Sequence, residues 1–435
     1  MSAKVPTAAR IVLPWLGPPL LACCLVSSAW GEDAVAPGFV AAPPPDVPAG
    51  PYDGSPAESL LDLDIDQLGE VDVVVPSFDV EVTSVTKTES TVGRSPAAVF
   101  VITPEMIRRS GATSIPELLR LVPGLHVART DMNKWAITSR GFNSRFANKL
   151  LVMIDGRSVY NPLFAGVYWE VQDYVLEDIA RIEVIRGPGA ALWGENAVNG
   201  VINIITKSAA ETQGAFVSST AGDVDEAINS VRYGERLGNG AFLRVYGKQS
   251  ERDDGVLDAG AHDDWRFGQT GFRIDWPLDC CGHELLTLQG DIYSGTFGGS
   301  GRVASPAFPF SRPFVEDARM AGGNLLGRWS RTTETGEFYF QAYYDQIGRD
   351  DELARFTVHT YDAEFQHRFT PIDRHALTWG INVRHVQDDV QSNGPFVFRF
   401  DPEQDEYTRY SLFLQDEIDV VRDRVVMFAG SKFSY

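Results

Sequence analysis

The sequence predicts two architectures in series: an α+β domain, then antiparallel transmembrane β-barrel strands. Three observations predict this. From residue 213 to the end, strand-like segments of about 9–14 residues recur, long enough to cross a bilayer at a tilt. The connections between them alternate between short and long. Residues 94–208 instead mix helix-capping signals, short apolar runs and glycine turns.

The N-terminus reads as a secretory signal over residues 1–31. Lys4 and Arg10 precede a proline-broken apolar run, and Ala29-Trp30-Gly31 offers small residues before a cut at Glu32. Leu21-Ala22-Cys23 gives a minor lipoprotein alternative. The prolines shorten the run too much for an anchor helix. Residues 32–78 are Pro-rich and hold ten acids with no Lys or Arg, which predicts an extended or disordered extension. Net charge is −21, and no basic face is available to neutralise phosphates, so a nucleic-acid partner is not expected. Of the four cysteines, Cys23 and Cys24 leave with the signal. The adjacent pair Cys280-Cys281 closes no useful loop, and two thiols alone are too few for a zinc site. Those two read as turn residues, and neither a metal nor a cofactor is expected.

Residues 79–93 form a linker in which Asp79–Lys87 alternates Val with polar residues, a pattern suited to a strand added to a partner sheet. The domain follows over residues 94–208. Val99–Ile102 predicts a strand. Thr103, Pro104 and Glu105 then cap a helix that Gly111 ends. Ser114 caps a second helix running to Leu121, before Pro123-Gly124. Strands are predicted in WAITSRGF, KLLVMIDGRSVY and RIEVIRG, with turns at Gly141, Asp155-Gly156 and Gly187, and VINIITK closes the domain. RIEVIRGPGAALWGENAVNGVINIITK (181–207) looks at first like a phosphate loop. Gly189 and Gly194 have that spacing, but Glu195 and Asn196 stand where Lys and Ser/Thr are needed, and Leu192 breaks the dinucleotide pattern. The glycines read instead as backbone room for strand, tight turn, strand.

Residues 209–435 carry about eleven strands. In AFLRVYGK, Leu243 and Val245 face one way, Arg244 and Lys248 the other. Trp265, Trp276, Tyr293 and Trp329 sit where an interfacial girdle belongs. The short connections are RLG, PLDCCG, TTE, TPI and VRD; the longest are expected over Thr296–Arg319 and Gln387–Asp405. Short turns on one side and long loops on the other fit a membrane barrel better than a soluble sandwich.

At this point a family resemblance is specific. VTSVTK (82–87), PAAVFVITPEMIRRSGATSIPELLRLVPGLHV (96–127), SRGF (139–142), IDGRSVY (154–160), DIARIEVIRGPGAALWGENAVNGVINIITK (178–207) and LFLQDEI (412–418) resemble, in this order, a TonB-dependent outer-membrane receptor. Residues 94–208 resemble its plug domain. The resemblance implies a cell outer membrane location and a plug inside a barrel of roughly 22 strands. About eleven strands is half of that, which reads as a fragment or a truncated chain, with Tyr435 as a chance terminal aromatic. It also implies ligand capture at the outer face and energy from the inner-membrane TonB complex. The TonB box falls on Val80, Glu81, Val82, Thr83, Ser84, Val85 and Thr86, with Val71–Pro76 as a competing stretch.

Ligand-binding candidates are Asp131, Asn133, Trp135 and Arg145 with the aromatic segment Tyr160, Phe164, Tyr168 and Trp169. Packing against the barrel wall is the alternative for that segment. Arg140, Glu183 and Arg186 are expected as a plug–barrel charge cluster. The expected function is active uptake of a scarce small molecule or metal chelate, such as a ferric siderophore or cobalamin. The alternatives are an inactive truncated receptor, a passive porin and a ligand-binding surface protein. No catalytic residue is assigned: there is no Ser-His-Asp order or H-E-x-x-H, and the seven His are scattered. The acidic loop Asp253–Asp264 lacks calcium-loop spacing and reads as solvated.

Overall fold

The computed structural model describes residues 80–84, 90–187, 193–194, 196–255, 262–393, 399–421 and 425–435. The signal, the acidic extension, Val71–Pro76, Val85 and Thr86 lie outside the described residues.

Strand β1 (Glu81–Val82) pairs antiparallel with β2 (Ser90–Thr91). The α+β domain then begins with β3 (Val99–Ile102), the strand expected. Thr103 caps helix α1 (Pro104–Ser110): its Oγ1 accepts the Met106 N–H at 3.3 Å, and Gly111 ends the helix at φ 68°. Helix α2 (Ile115–Leu119) stops two residues before the expected Leu121, because Leu121 and Val122 tighten to i→i+3 bonds. A hairpin follows, β4 (Leu125–Asp131) with β5 (Lys134–Ser139). The remaining strands are β6 (Leu150–Ile154), β7 (Arg157–Ser158), β8 (Ile179–Arg186) and β9 (Gly200–Thr206). They join β3 in a mixed sheet of order β3-β8-β9-β6-β7, with β6 and β9 parallel. Ile102, Ile115, Leu118, Ile182, Val184, Ile202 and Ile204 fill its core.

The 181–207 stretch is therefore two paired strands, β8 and β9. The strands end at Arg186 and resume at Gly200, a longer separation than the tight turn expected, with the Gly187 N–H donating to the Asn199 carbonyl at 3.1 Å where they part.

The second sheet has eleven antiparallel strands in chain order. They are β10 (Gly214–Thr220), β11 (Ala227–Arg236), β12 (Phe242–Arg252), β13 (Trp265–Pro277), β14 (Glu284–Ala304), β15 (Ser311–Thr333), β16 (Gly336–Asp350), β17 (Ala354–Ile372), β18 (His375–Ser392), β19 (Gln404–Val421) and β20 (Val425–Ser434). β10 and β20 are its edges. The faces are inverted relative to a water-soluble sheet. Val217, Val231, Val245, Ile292, Ile381 and Leu414 are exposed, while Arg244, Lys248, Arg252, Arg273 and Asp275 are buried. An apolar outward face with a polar inward one is the signature of a lipid-spanning wall. Among the described residues no helix is long and apolar enough to cross a membrane.

Three expectations change here. Thr296–Arg319 is not a loop: β14 and β15 extend through it as a hairpin of 21- and 23-residue strands, turning at 305–310. Part of Gln387–Asp405 is likewise strand, in β18 and β19. Strand pairing satisfies the backbone there without the apolar alternation that lipid imposes, so the pattern reads as loop. Trp265 also leaves the girdle: it is 1% exposed and covered by the Arg252 guanidinium at 4.1 Å.

Gly200 tests the packing of the domain sheet. A Cβ there would stand 2.5 Å from the Ile185 carbonyl oxygen and 3.2 Å from Leu150 Cδ1. Gly200→Ala is expected to lose about 1–3 kcal/mol of domain stability. Gly268→Ala in β13, where a Cβ meets nothing within 4 Å, should stay within about 0.5 kcal/mol of wild type. Denaturant unfolding of the two variants checks both.

Candidate functional site

The domain faces the polar side of the wall through a seam of paired charges. Asp173 is fully buried; its carboxylate accepts from Lys248 Nζ at 2.8 Å and from the Ser250 hydroxyl at 2.8 Å, with Arg252 at 3.7 Å. Asp178 pairs with Arg232 and lies 3.8 Å from Arg244. Glu170 receives Arg349 from the wall at 3.3 Å and Arg145 from the domain at 2.8 Å. One pair runs the other way: Arg157 of the domain binds Asp345 of the wall, and its Nη2 donates to the Tyr174 hydroxyl at 3.1 Å. That hydroxyl donates in turn to Asp291 at 2.8 Å.

Asp155, at φ 49° in the turn after β6, anchors the lower part of this seam. It accepts the Thr206 N–H at 2.9 Å, the Thr206 hydroxyl at 2.8 Å and Gln289 of β14 at 2.9 Å. Burial alone would raise its carboxyl; Arg273, Arg328 and these hydrogen bonds outweigh burial and hold it below the usual range. None of these acids was singled out from sequence. Each meets its partner across a long chain separation (75 residues for Asp173 and Lys248), so no local spacing marks it. The only hint is a run of acids inside the apolar stretch VYWEVQDYVLEDI.

The N-terminal segment is held by a different carboxylate. Glu183 on β8, fully buried, accepts the backbone N–H of Thr83 at 3.0 Å and of Ser84 at 2.7 Å. Trp193 Nε1 donates to the Ser84 carbonyl at 2.7 Å, and Asn203 Nδ2 to the Ser84 hydroxyl at 2.9 Å. Val82 and Ser84 are each 1% exposed. Glu183 also pairs with Arg181 at 2.7 Å. Arg140 Nη2 donates to the Arg186 carbonyl at 3.1 Å, and Arg186 Nη1 to the Pro123 carbonyl at 2.9 Å. The described bonds of Arg140, Glu183 and Arg186 thus run inside the domain and to the N-terminal segment. The wall's charges are met by the acids above.

The ligand candidates separate into three groups. Arg145, Phe164 and Tyr168 come together: Phe164 lies 5.0 Å and Tyr168 6.0 Å from the Phe356 ring of β17, and Arg145 sits over Tyr168 at 5.9 Å. Gly166 lets the loop close on Phe146, because a Cβ there would be 2.6 Å from Phe146 Cα. Tyr160 lines a nearby crevice with Arg157, Tyr174 and Asp345, and burial, with Tyr407 adding, pushes its hydroxyl up to about 12. Asp131 and Asn133 lie at the β4–β5 turn. Asp131 pairs with Lys134 at 2.7 Å, and Asn133 Nδ2 donates to the Gly298 carbonyl of β14 at 2.8 Å. Trp135 and Trp169 depart from the expectation. At 2% and 3% exposed, both rings sit in the domain core, where apolar burial and not ligand contact fixes them. The acidic loop is also less solvated than expected: Asp263 is buried and accepts the Met132 N–H at 2.8 Å, tying the loop to the β4–β5 turn.

Residues 91–201 match the TonB-dependent Receptor Plug Domain family. A Vitamin B12 transporter BtuB of Vibrio vulnificus is 30% identical over 181 residues, which are 41% of this chain and 29% of that protein. The Photobacterium profundum protein of the same name is 30% identical over 50% of this chain and 36% of its own length. The chain thus spans about a third of the length of the curated relatives it matches. Among solved structures, a ferric enterobactin receptor (PfeA) variant from Pseudomonas aeruginosa superposes with TM-score 0.62 at 18% identity, covering 82% of this chain and 59% of that one. The siderophore receptor PirA from Pseudomonas aeruginosa gives 0.57 at 19%, covering 78% and 56%. These likenesses show the fold.

Asp173 gives the seam a testable pH dependence. Burial opposes its ionisation, but Lys248, Arg252 and the hydrogen bonds from Lys248 and Ser250 hold its carboxyl below the ordinary range. A depressed folded pKa contributes stability that is complete above the unfolded value of about 3.9 and lost as pH falls through the lower folded value. The docked domain should therefore resist proteolysis at pH 7 and still at about pH 4. Asp173→Asn leaves the buried Lys248 ammonium without its counter-charge, while Arg252 keeps Asp225 at 2.7 Å, and should cost about 3–5 kcal/mol, with protease sensitivity already at neutral pH.

Proposed function

We propose that this chain, whose residues 91–201 match a TonB-dependent receptor plug domain ahead of antiparallel barrel strands, is an outer-membrane receptor that takes up a scarce small molecule or metal chelate actively, with energy supplied by the TonB complex. The observation that carries this reading is the hold on residues 80–84. A strand-like segment rests on the plug through two backbone N–H groups gathered by one carboxylate, Glu183. Such a segment is built to be lifted away and to pair with a partner strand, as strand addition requires. Val80–Thr86 is the TonB box in this reading; Val85 and Thr86 continue it beyond the described residues.

Ligand contact is proposed for Arg145, Tyr160, Phe164 and Tyr168, with Asp131 and Asn133 at the adjoining apex. Their rings, a guanidinium and a neutral phenol suit a large polar ligand with a flat or chelated face. Cobalamin is the first candidate, since sequence relatives from Vibrio vulnificus and Photobacterium profundum are named vitamin B12 transporters. Ferric siderophores come second, on the fold likeness alone.

Deleting Val80–Thr86 in the gene is expected to abolish uptake of labelled ligand while sparing binding at the cell surface. Uptake that survives the deletion sinks the TonB reading. Growth on cobalamin or on defined iron sources, with and without the gene, separates the ligands.

A further inference from the structure

We propose that the turn between β13 and β14 is a binding site for a thiophilic divalent metal ion, with Zn²⁺ the best fit, built from Asp279, Cys281 and His283 with Cys280 beside them. Read along the chain, Cys280-Cys281 is two thiols and too little for a metal. The folded turn adds two donors. The Leu278 N–H donates to the Glu284 carbonyl at 2.9 Å and closes the turn, and Gly282 reverses the chain at φ 75°. Asp279 then folds inward: its carboxylate accepts the His283 N–H at 3.2 Å and the Glu284 N–H at 3.0 Å. This brings its Oδ2 to 3.5 Å from His283 Nδ1. The Cys280 and Cys281 sulfurs also lie 3.5 Å apart.

Those separations match metal geometry. A tetrahedral Zn²⁺ with sulfur at about 2.3 Å and nitrogen or oxygen near 2.0 Å holds neighbouring donors roughly 3.3–3.8 Å apart. Donor atoms of Asp279, Cys281 and His283 already lie within 4.8 Å of one another. Closing the remaining gap takes only about an ångström at a turn with free, exposed thiols. Thiolate, imidazole and carboxylate together favour Zn²⁺ over Mg²⁺ or Ca²⁺. Binding releases the thiol protons to solvent and changes no oxidation state. None of these four residues belongs to the charged seam or to the N-terminal hold. The turn lies on the short-turn side of the wall, which in outer-membrane barrels faces the periplasm.

The full-length protein, reduced, stripped with chelator and titrated with Co²⁺, tests the site. The expected result is about one Co²⁺ per chain with a near-ultraviolet thiolate-to-metal band, displaced by Zn²⁺. Replacing Cys280 and Cys281 together by Ser should remove the band, and His283→Gln should weaken binding by at least the roughly 10–100-fold that even outer-shell changes cost. Asp279 is left intact because its carboxylate also holds the turn. Unchanged far-ultraviolet dichroism in both variants shows that the wall remains folded. Absence of a thiolate band, or equal affinity in both variants and wild type, overturns the proposal. So does protein isolated without reductant whose two thiols are lost to a Cys280–Cys281 disulfide with no metal bound.

Discussion

Everything else in this structure depends on the seam of ion pairs between the plug and the inner face of the barrel wall. The wall contributes mainly cations there: Arg232, Lys248, Arg252 and Arg349. The plug contributes Glu170, Asp173 and Asp178 as their partners. A charge removed from water and left unpaired costs far more than a pair gains, so neither surface is comfortable dry without the other. Water offers a second solution. If it enters the seam, each charge is solvated and Coulomb attraction falls with the rising local dielectric. An interface sealed by charges can thus be wetted and resealed at lower cost than one sealed by apolar contact. The apolar contacts that do cross the seam gather around Phe356, Phe164 and Tyr168.

The hold on the N-terminal segment follows the same logic on a smaller scale. Glu183 is fully buried and has two sets of partners, the Thr83 and Ser84 amides and the Arg181 guanidinium. Were the segment to leave, the carboxylate would keep Arg181 and not become an orphan charge. A latch that retains a counter-ion in its open state avoids much of the penalty that would lock it shut.

Much of the fold was legible in the sequence, because lipid and helix geometry both impose short-range rules. Recurrent strand-length segments, several with period-two alternation, marked the barrel strands, and Thr103-Pro104 with Gly111 marked a helix at both ends. Legibility failed where the rule stopped acting. Beyond the hydrocarbon, β14 and β15 no longer need apolar outward residues, so their outer parts looked like loop. The candidate site was less legible. Trp135 and Trp169 look like binding aromatics along the chain and prove to be core. Asp173 and Asp178 look like ordinary acids and prove to hold the seam, through partners that no local window contains.

The overhang of β14 and β15 has a consequence of another kind. Strands of 21 and 23 residues far exceed the roughly 9–11 that cross a bilayer. The hairpin therefore rises well above the membrane, ending in Phe308 and Phe310 at 86% and 67% exposed, edge to face. The described backbone bonds of residues 305–310 stay within the hairpin. Substitutions at Phe308 and Phe310 would alter an exposed surface without touching the seam of charges beneath it.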